Sequence, residues 1–339
     1  MKILLLAGGN SSERAVSLNS SAAIFDALKR LGHKVIALDT ANGRSLTDSG
    51  GKYIGNAQQK GSTELIPSQS SALEFTSVLS APDTRDVDLV FLGLHGGDGE
   101  NGSIQALLDL SGKKYIGSGM TASAVAMNKG ITKRILISEG IKTPDWLCIK
   151  RTKTGFTAKV CEEILNIFTV PIIVKPNDGG STVGLTKVTD PSQLGASLNL
   201  AAAESEYVLI EAYISGRELT VAVLDGTAFP IVEIKPKKGL YDYESKYTKG
   251  KTEYIVPAEI NKEVTQSIQD SAVKAYTAVG CSGLARIDFI LAESGDFYCL
   301  EINTLPGMTA LSLAPMAAKA VGIGFDELIF RIIESALKK

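Results

Sequence analysis

The chain has 339 residues, long enough for two or three packed units. Its 44% apolar content is that of an ordinary globular protein, and a formal net charge of −2 supplies no basic field for nucleic acid or an anionic membrane surface. No apolar run approaches the ~20 residues that cross a bilayer, and the four cysteines (Cys148, Cys161, Cys281, Cys299) stand in apolar contexts without metal-type spacing, which reads as reduced core thiols of a cytoplasmic protein rather than a disulfide framework.

Residues 1–9 form an apolar strand that ends in glycines. The run is too short, and lacks the small-residue cleavage pattern, for a secretory leader, so a buried first strand is the better reading. The loop Gly8-Gly9-Asn10-Ser11-Ser12-Glu13-Arg14 leads into a helix with apolar Ala22, Ile24, Phe25 and Leu28, stopped by Gly32, and residues 34–38 form the next strand. This β–loop–α–β order predicts a parallel sheet with a right-handed crossover, an α/β unit. The G-x-G-x-x-G fingerprint is absent, which argues against a dinucleotide-binding unit. Glu13 sits where the loop enters the helix. It can stabilise the helix dipole, or it can meet a ligand at the carboxyl end of a strand; the second reading is favoured. Residues 40–85, rich in Ser, Gly, Thr and Asp, read as a surface connection without assigned chemistry. A buried strand over 86–94 then runs into His95-Gly96-Gly97-Asp98-Gly99-Glu100-Asn101-Gly102 and a helix over 103–110. The glycines permit close approach of a ligand, and His95 and Glu100 can either orient the loop or meet that ligand.

From 116–120 onward the chain changes character. One helix is expected to carry Met127-Asn128-Lys129 and Thr132-Lys133; taken alone, Lys129 reads as a solvated helix residue. Short strands follow Thr143-Pro144 and Trp146. In VPIIVKPNDGGSTVGLTKV (170–188) a buried strand presents Lys175, and a Gly-rich loop over 178–184 follows. There is no G-x-x-x-x-G-K-[ST] pattern, so this is not a P-loop. Backbone amides around Gly180 together with the Lys175 charge still suit phosphate, and a plain hairpin turn is the alternative. In YVLIEAYISGRELTVAV (207–223) Glu211 ends a strand and Glu218 opens the next; ordinary edge charge explains Glu211 equally well. The tyrosine-dense, aperiodic LYDYESKYTKGKTEY (240–254) predicts a loop that closes over a site. Residues 262–280 form an amphipathic helix with Val264, Ile268, Ala272, Ala275 and Val279 on one side. The β-type runs 285–291 and 296–302, joined by a turn containing Gly295, read as a hairpin. Strand alternation puts Glu301 and Asn303 on one face, and pairing can bring Asp288 beside them. Such an all-oxygen cluster suits Mg²⁺ whose octahedron is completed by substrate phosphates. Asp and Asn are poor strand formers and their apolar neighbours imply burial, so a merely solvated hairpin face is disfavoured. Two closing helices are expected over 309–321 and 325–338.

The order R-x-D followed by E-x-N-T-L-P-G-M-T resembles the end of an ATP-grasp ligase, and more narrowly the D-alanine–D-alanine ligase family. Similar matches occur at S-S-E-R-x-V-S, M-[DN]-K-x-x-[ST]-K and Y-D-Y-x-x-K-Y, so the resemblance covers nearly the whole chain. It implies a three-domain ATP-grasp architecture: an N-terminal parallel-sheet α/β substrate domain (1–117), a central subdomain with the Gly-rich loop (118–209), and a C-terminal subdomain with lid and metal site (210–339), the two α+β subdomains sandwiching ATP. The implied activity is ATP-dependent joining of two D-alanines through a D-alanyl phosphate, for peptidoglycan precursor synthesis. The implied roles are as follows: Glu13 binds the amine of the first D-alanine, with Ser181 and Tyr247 tied to it. Lys129, Lys175, Gly180 and Lys246 contact phosphate, Glu211, Ala212, Tyr213 and Ile214 pair with adenine, and Glu218 binds the ribose. His95 and Glu100 lie near the first substrate, His95 as an orienting hydrogen-bond partner of the Glu13 region. Arg286 and the Gly307 amide meet oxyanion charge, Ser312 and Leu313 meet the second substrate, and Asp288, Glu301 and Asn303 hold two Mg²⁺ ions, or Mn²⁺. A homodimer without nucleic-acid or membrane partners is also implied. Three departures stand out: Thr182 replaces the common Ser, the loop from His95 is one residue short, and Ala310-Leu311 replaces a Ser-His pair. Leu311 and the short His95 loop keep open a sibling ligase that joins D-alanine to another D-amino acid or D-hydroxy acid, although Tyr247 argues for an amine nucleophile.

Overall fold

The computed structural model describes residues 1–55, 79, 81–152, 155–237, 251–309 and 312–339. Lys246, Tyr247, Ala310 and Leu311 lie outside the described residues.

Strand β1 (Lys2–Ala7) lies between β2 (Lys34–Asp39) and β3 (Leu89–Leu92), all parallel, in the order β2-β1-β3. Residues Ile3 to Ala7 have no exposed surface, which is why this strand reads as an unbroken apolar run and not as an alternation. Helix α1 (Arg14–Arg30) makes the crossover and ends before Gly32, whose φ of +80° is open to glycine at little cost. Helix α2 (Ser103–Leu110) follows the glycine-rich loop after β3, as the sequence predicts.

The single helix expected beyond residue 120 is in fact two, α3 (Met120–Met127) and α4 (Lys129–Ser138). Asn128 breaks the run with ψ of 92° and caps α4 by accepting the Ile131 amide at 3.0 Å. Asparagine is among the best N-cap residues because its side-chain oxygen satisfies an amide that the helix cannot. Asn177 completes the cap: its carbonyl accepts the Lys129 amide (3.0 Å) and its side chain accepts the Gly130 amide (2.8 Å). The break puts Lys129 at the first helical position.

The central sheet contains β4 (Trp146–Lys150), β5 (Ile172–Pro176), β6 (Thr186–Val188) and β7 (Tyr207–Ala212) in the order β4-β7-β5-β6. Helices α5 (Ala158–Ile167) and α6 (Leu194–Glu204) cover it through Ile164, Leu194 and Leu198, packed on Ile172, Val174 and Ile210. The last sheet is antiparallel. It contains β8 (Gly216–Leu224), β9 (Thr227–Ala228), β10 (Val232–Pro236), β11 (Thr252–Ile255), β12 (Leu284–Ala292) and β13 (Phe297–Asn303), in the order β11-β10-β8-β12-β13, with β9 on β8. Helix α7 (Lys262–Val279) lays Ile268, Ala272 and Ala275, all fully buried, against it. The closing helices α8 (Leu313–Ala320) and α9 (Phe325–Leu337) return to the first sheet, where Leu328, Ile329, Ile332 and Ile333 join the core of β1 and α1. All four cysteines are free thiols; Cys299 is buried and the other three are half-buried, so only one is a true core residue. Among the described residues no helix is long and apolar enough to cross a membrane.

Candidate active site

Hairpin β12–β13 sets the first part of the site through its register. Asp288 pairs with Glu301 and Arg286 pairs with Asn303, so the two carboxylates, the amide and the guanidinium share one face, while Ala285 and Ile287 point into the core. The ladder then shifts at Asp288/Phe289, so Leu300 is the extra residue of a bulge, a common device beside functional sites. Arg286 forks onto Asp288 with two bonds of 2.9 Å, Asn303 Nδ2 donates to the same carboxylate at 3.1 Å, and buried Thr220 adds its hydroxyl at 2.5 Å. Thr220 is a partner that the sequence reading missed; only the β8–β12 pairing, which sets it opposite Asp288, reveals it. Among the described residues no three His, Cys, Asp or Glu side chains cluster as a complete metal cage. Two carboxylates and an amide oxygen fit instead a hard cation that arrives with phosphate oxygens, and Mg²⁺ is the cation that keeps such mixed ligation.

Between the central and last sheets lies a cleft lined by Lys175, Glu211, Ala212, Tyr213, Ile214, Glu218, Ile234, Asp288 and Ile290. Lys175 and Glu211 face each other on adjacent strands, with Nζ 2.8 Å from Oε2. The Ala212 and Tyr213 amides are bonded to the carbonyls of Asp145 (2.9 Å) and Pro171 (3.4 Å), and Ile214 lines the cleft beside them. Lys129 reaches over the Gly-rich loop to the Gly179 carbonyl (2.7 Å) and stands 3.5 Å from Glu301. In that loop Ser181 (φ 50°) and Thr182 (φ 66°) adopt left-handed backbone, a strained state for non-glycine residues that proteins keep mostly at working sites.

A second cavity of about 540 Å³ opens on the other side of the loop, lined by Glu13, His95, Glu100, Ser181, Arg286 and Gly307 among others. The two cavities share Lys129, Gly179, Gly180, Ser181, Arg286, Glu301 and Leu313, and so meet at the Gly-rich loop. Glu13 is buried and occupies the N-cap of α1 without capping it; its carboxylate accepts the Ser181 hydroxyl instead. A Cβ on Gly96 would stand 2.7 Å from Glu13 Oε2, and one on Gly180 closer still, so both positions need glycine for the carboxylate to fit between the loops. The neighbouring Arg14 forks onto fully buried Asp39, which also accepts the Gly9 (3.2 Å) and Ala41 (3.0 Å) amides and pins the loop that carries Glu13. Ser312, also on this cavity, pairs its hydroxyl with Thr309, and Leu313 is buried beside it.

His95 takes ring partners other than Glu13 itself. Its ring bonds the Leu305 carbonyl through Nδ1 (3.0 Å) and Ser20 through Nε2 (3.1 Å), so both nitrogens are engaged away from Glu13. Its backbone carbonyl meets the Glu13 loop, accepting the Ser11 hydroxyl at 2.5 Å. The Leu305 carbonyl can only accept, so Nδ1 carries the proton; burial, with Arg286 nearby, lowers the pKa and keeps the ring neutral against the pull of Glu13. Glu100 accepts the Gly96 (2.6 Å) and Leu305 (3.3 Å) amides. Burial first, and the Glu13 charge second, push its carboxyl up to about 8.

These shifts carry signs. A Glu100 carboxyl raised from 4.5 to about 8 holds its proton longer folded than unfolded, so its contribution to stability is full at low pH and lost as pH rises through 8. His95, lowered from 6.5, works oppositely and only below 6.5, where unfolding lets it take up a proton. The melting temperature is therefore expected to fall from pH 6.5 to 8 on account of Glu100, and Glu100→Gln to flatten that fall. Parallel slopes for the two proteins would contradict the assignment.

The comparisons with known proteins agree with this geometry. The family model described as D-ala D-ala ligase N-terminus matches residues 2–118, and that described as D-ala D-ala ligase C-terminus matches residues 135–334. The chain is 43% identical over 335 residues to a D-alanine–D-alanine ligase of Syntrophotalea carbinolica, covering 99% of this chain and 96% of that one. It is 40% identical over 338 residues to the enzyme of the same name from Gloeobacter violaceus, covering 99% and 100%. Its fold superposes on the crystal structure of a Bacillus anthracis D-alanine–D-alanine ligase complexed with ATP with a TM-score of 0.78 at 29% identity, over 100% of this chain and 98% of that one. With two cavities meeting at the Gly-rich loop and both halves of the family matched, the chain belongs to the D-alanine–D-alanine ligase family.

Proposed function

We propose that the chain joins two D-alanines at the expense of ATP, through a D-alanyl phosphate, to supply peptidoglycan precursors. The observation that carries this reading is the meeting of the two cavities at Gly180 and Ser181, with Arg286 and Glu301 at the junction. A carboxylate does not acylate an amine in neutral water, so it must first become a mixed anhydride. ATP in the sheet-to-sheet cleft presents its γ-phosphorus at the junction. The carboxylate of the first D-alanine, its ammonium paired with Glu13, attacks that phosphorus and ADP leaves. The amine of the second D-alanine, near Ser312 and Leu313, then attacks the acyl carbonyl, and phosphate leaves. Phosphoryl transfer depends mainly on positioning and charge neutralisation, which Lys129, Lys175 and the loop amides supply. Arg286 and the Gly307 amide face the oxyanion of the tetrahedral intermediate; one such donor is typically worth about 3 kcal/mol. Mg²⁺ held by Asp288, Glu301 and Asn303 with phosphate oxygens supplies further neutralisation. In this reading the adenine meets the Ile214 amide, Glu218 meets the ribose, and residues 1–117, 118–209 and 210–339 act as the three moving parts of a cytoplasmic, homodimeric enzyme.

The departure at Ala310-Leu311 favours testing one sibling reading, a ligase whose second substrate is another D-amino acid or a D-hydroxy acid. Phosphate release measured with D-alanine, D-serine, D-lactate and L-alanine, singly and in pairs, separates them. Turnover with D-alanine alone supports the D-alanyl-D-alanine reading; turnover that needs D-lactate or D-serine as second substrate selects the sibling; turnover only with L-alanine overturns both.

A further inference from the structure

Lys133 is buried with no exposed surface, and the chemistry above does not use it. It lies on α4 one turn after Lys129. Its ammonium donates to Thr143 Oγ1 (2.6 Å) and to the Pro144 carbonyl (3.2 Å), lies 5.6 Å from the centre of the Trp146 ring, and pairs with Glu211 Oε1 at 2.9 Å. The last contact is an ion pair without hydrogen-bond geometry, so charge is what couples the two. The Glu211 side chain is 3% exposed, and its second oxygen takes Lys175 at 2.8 Å. Lys133 has no exposed surface, whereas Lys175 and Glu211 both line the cleft, Lys175 as the more exposed of the two at 10%. The result is a row of alternating charges, Lys133⁺–Glu211⁻–Lys175⁺, that ends at the place proposed for phosphate.

Burying three charges is a poor way to gain stability, because desolvation costs several kcal/mol per ion and apolar residues of like volume hold as well. The row makes sense as electrostatics. A Lys175–Glu211 pair alone has no net charge, and a triphosphate would meet only its dipole. Lys133 behind it restores one net positive charge, and by anchoring the far oxygen of Glu211 it fixes where Lys175 stands. Burial alone would raise the Glu211 carboxyl, but the Lys175 and Lys133 ammoniums hold it below its ordinary value, so it stays ionised between them.

We propose that Lys133 is a positioning residue for the nucleotide: through Glu211 it fixes Lys175 in the cleft and sets the net charge that the phosphates meet. This rests on the ATP reading given above. The test is the Kd for ATP, measured calorimetrically with Mg²⁺ present, in the full-length wild type, K133M, E211Q and the double variant K133M/E211Q. The charge of the row is +1, 0, +2 and +1 respectively. Affinity is expected to follow that charge: K133M weakens ATP binding about tenfold, E211Q binds at least as tightly as wild type, and the double variant recovers to within about threefold of wild type. KM for D-alanine moves less than about twofold throughout, because the row faces the nucleotide cleft and not the Glu13 cavity. A purely structural role predicts the reverse for the double variant, which carries two core lesions and would bind no better than K133M. Unchanged affinity in K133M, or a double variant that binds no tighter than K133M, overturns the inference. If K133M does not fold, E211Q against K133M/E211Q reads the same charge step, and equal affinities there overturn it. A wild type that binds no ATP would instead sink the functional reading itself.

Discussion

Glu301→Gln is expected to lower kcat at least about a thousandfold while leaving the melting temperature within about 2 °C. Glutamine keeps the length and one acceptor oxygen of glutamate and removes only its charge. The Glu301 side chain is 29% exposed, and the ion pair it loses, to Lys129 at 3.5 Å, is long and partly solvated. Such a pair contributes little to folding, so the stability cost is small. The catalytic cost is large because Glu301 and Asp288, opposed across the hairpin, are the two anionic donors of the proposed cation site. A divalent ion at developing phosphoryl charge is worth several kcal/mol, and each 1.36 kcal/mol is tenfold in rate. Steady-state kinetics at saturating Mg²⁺ decide it. A near-normal kcat there would remove the cation from this site.

Glu13→Gln is expected to cut kcat/KM for D-alanine about a hundredfold with KM for ATP unchanged within about threefold. The substitution is nearly isosteric in a slot that Gly96 and Gly180 leave open for a carboxylate, and the amide oxygen can still accept the Ser181 hydroxyl. What disappears is the charge that would pair with the substrate ammonium at a buried carboxylate. Losing one partner of a buried charge pair costs about 2–5 kcal/mol. The same variant has a second readout. The Glu13 charge is one of the two causes that raise Glu100, so the pH-dependent loss of stability between 6.5 and 8 should shallow in Glu13→Gln as well. If KM for ATP rises as far as that for D-alanine, Glu13 is holding the loop and not the substrate.

Much of the fold was legible because it follows from short-range pattern. An apolar run, a glycine loop and a 3.6-period helix define β1, α1 and β2, and period-2 alternation with a Gly turn defines the β12–β13 hairpin closely enough to put Asp288 opposite Glu301. The readings that failed depended on partners far away in sequence. Asn128 breaks the helix and caps the one that follows, and distant Asn177 completes the cap by satisfying the amides of Lys129 and Gly130. The loop 178–184 carries three glycines, yet two of its left-handed residues are Ser181 and Thr182, whereas the bond from the Ser181 hydroxyl to Glu13, 168 residues away, is the tie that the family resemblance implies. His95 sits in the expected loop, but Ser20 and Leu305 decide where its ring turns. Lys133 was visible as the last residue of a motif, whereas its role needs Glu211, which the sequence presents only as a strand-end charge.

The account stands on one event, transfer of a carboxylate oxygen to the γ-phosphorus where the two cavities meet. D-Alanine labelled with ¹⁸O at both carboxylate oxygens, turned over with unlabelled ATP and analysed by mass spectrometry, tests it directly. Activation by phosphorylation predicts one ¹⁸O in each inorganic phosphate released and the loss of one ¹⁸O from the acyl half of the dipeptide. Phosphate free of label, with the displaced ¹⁸O found in AMP or water instead, would contradict it.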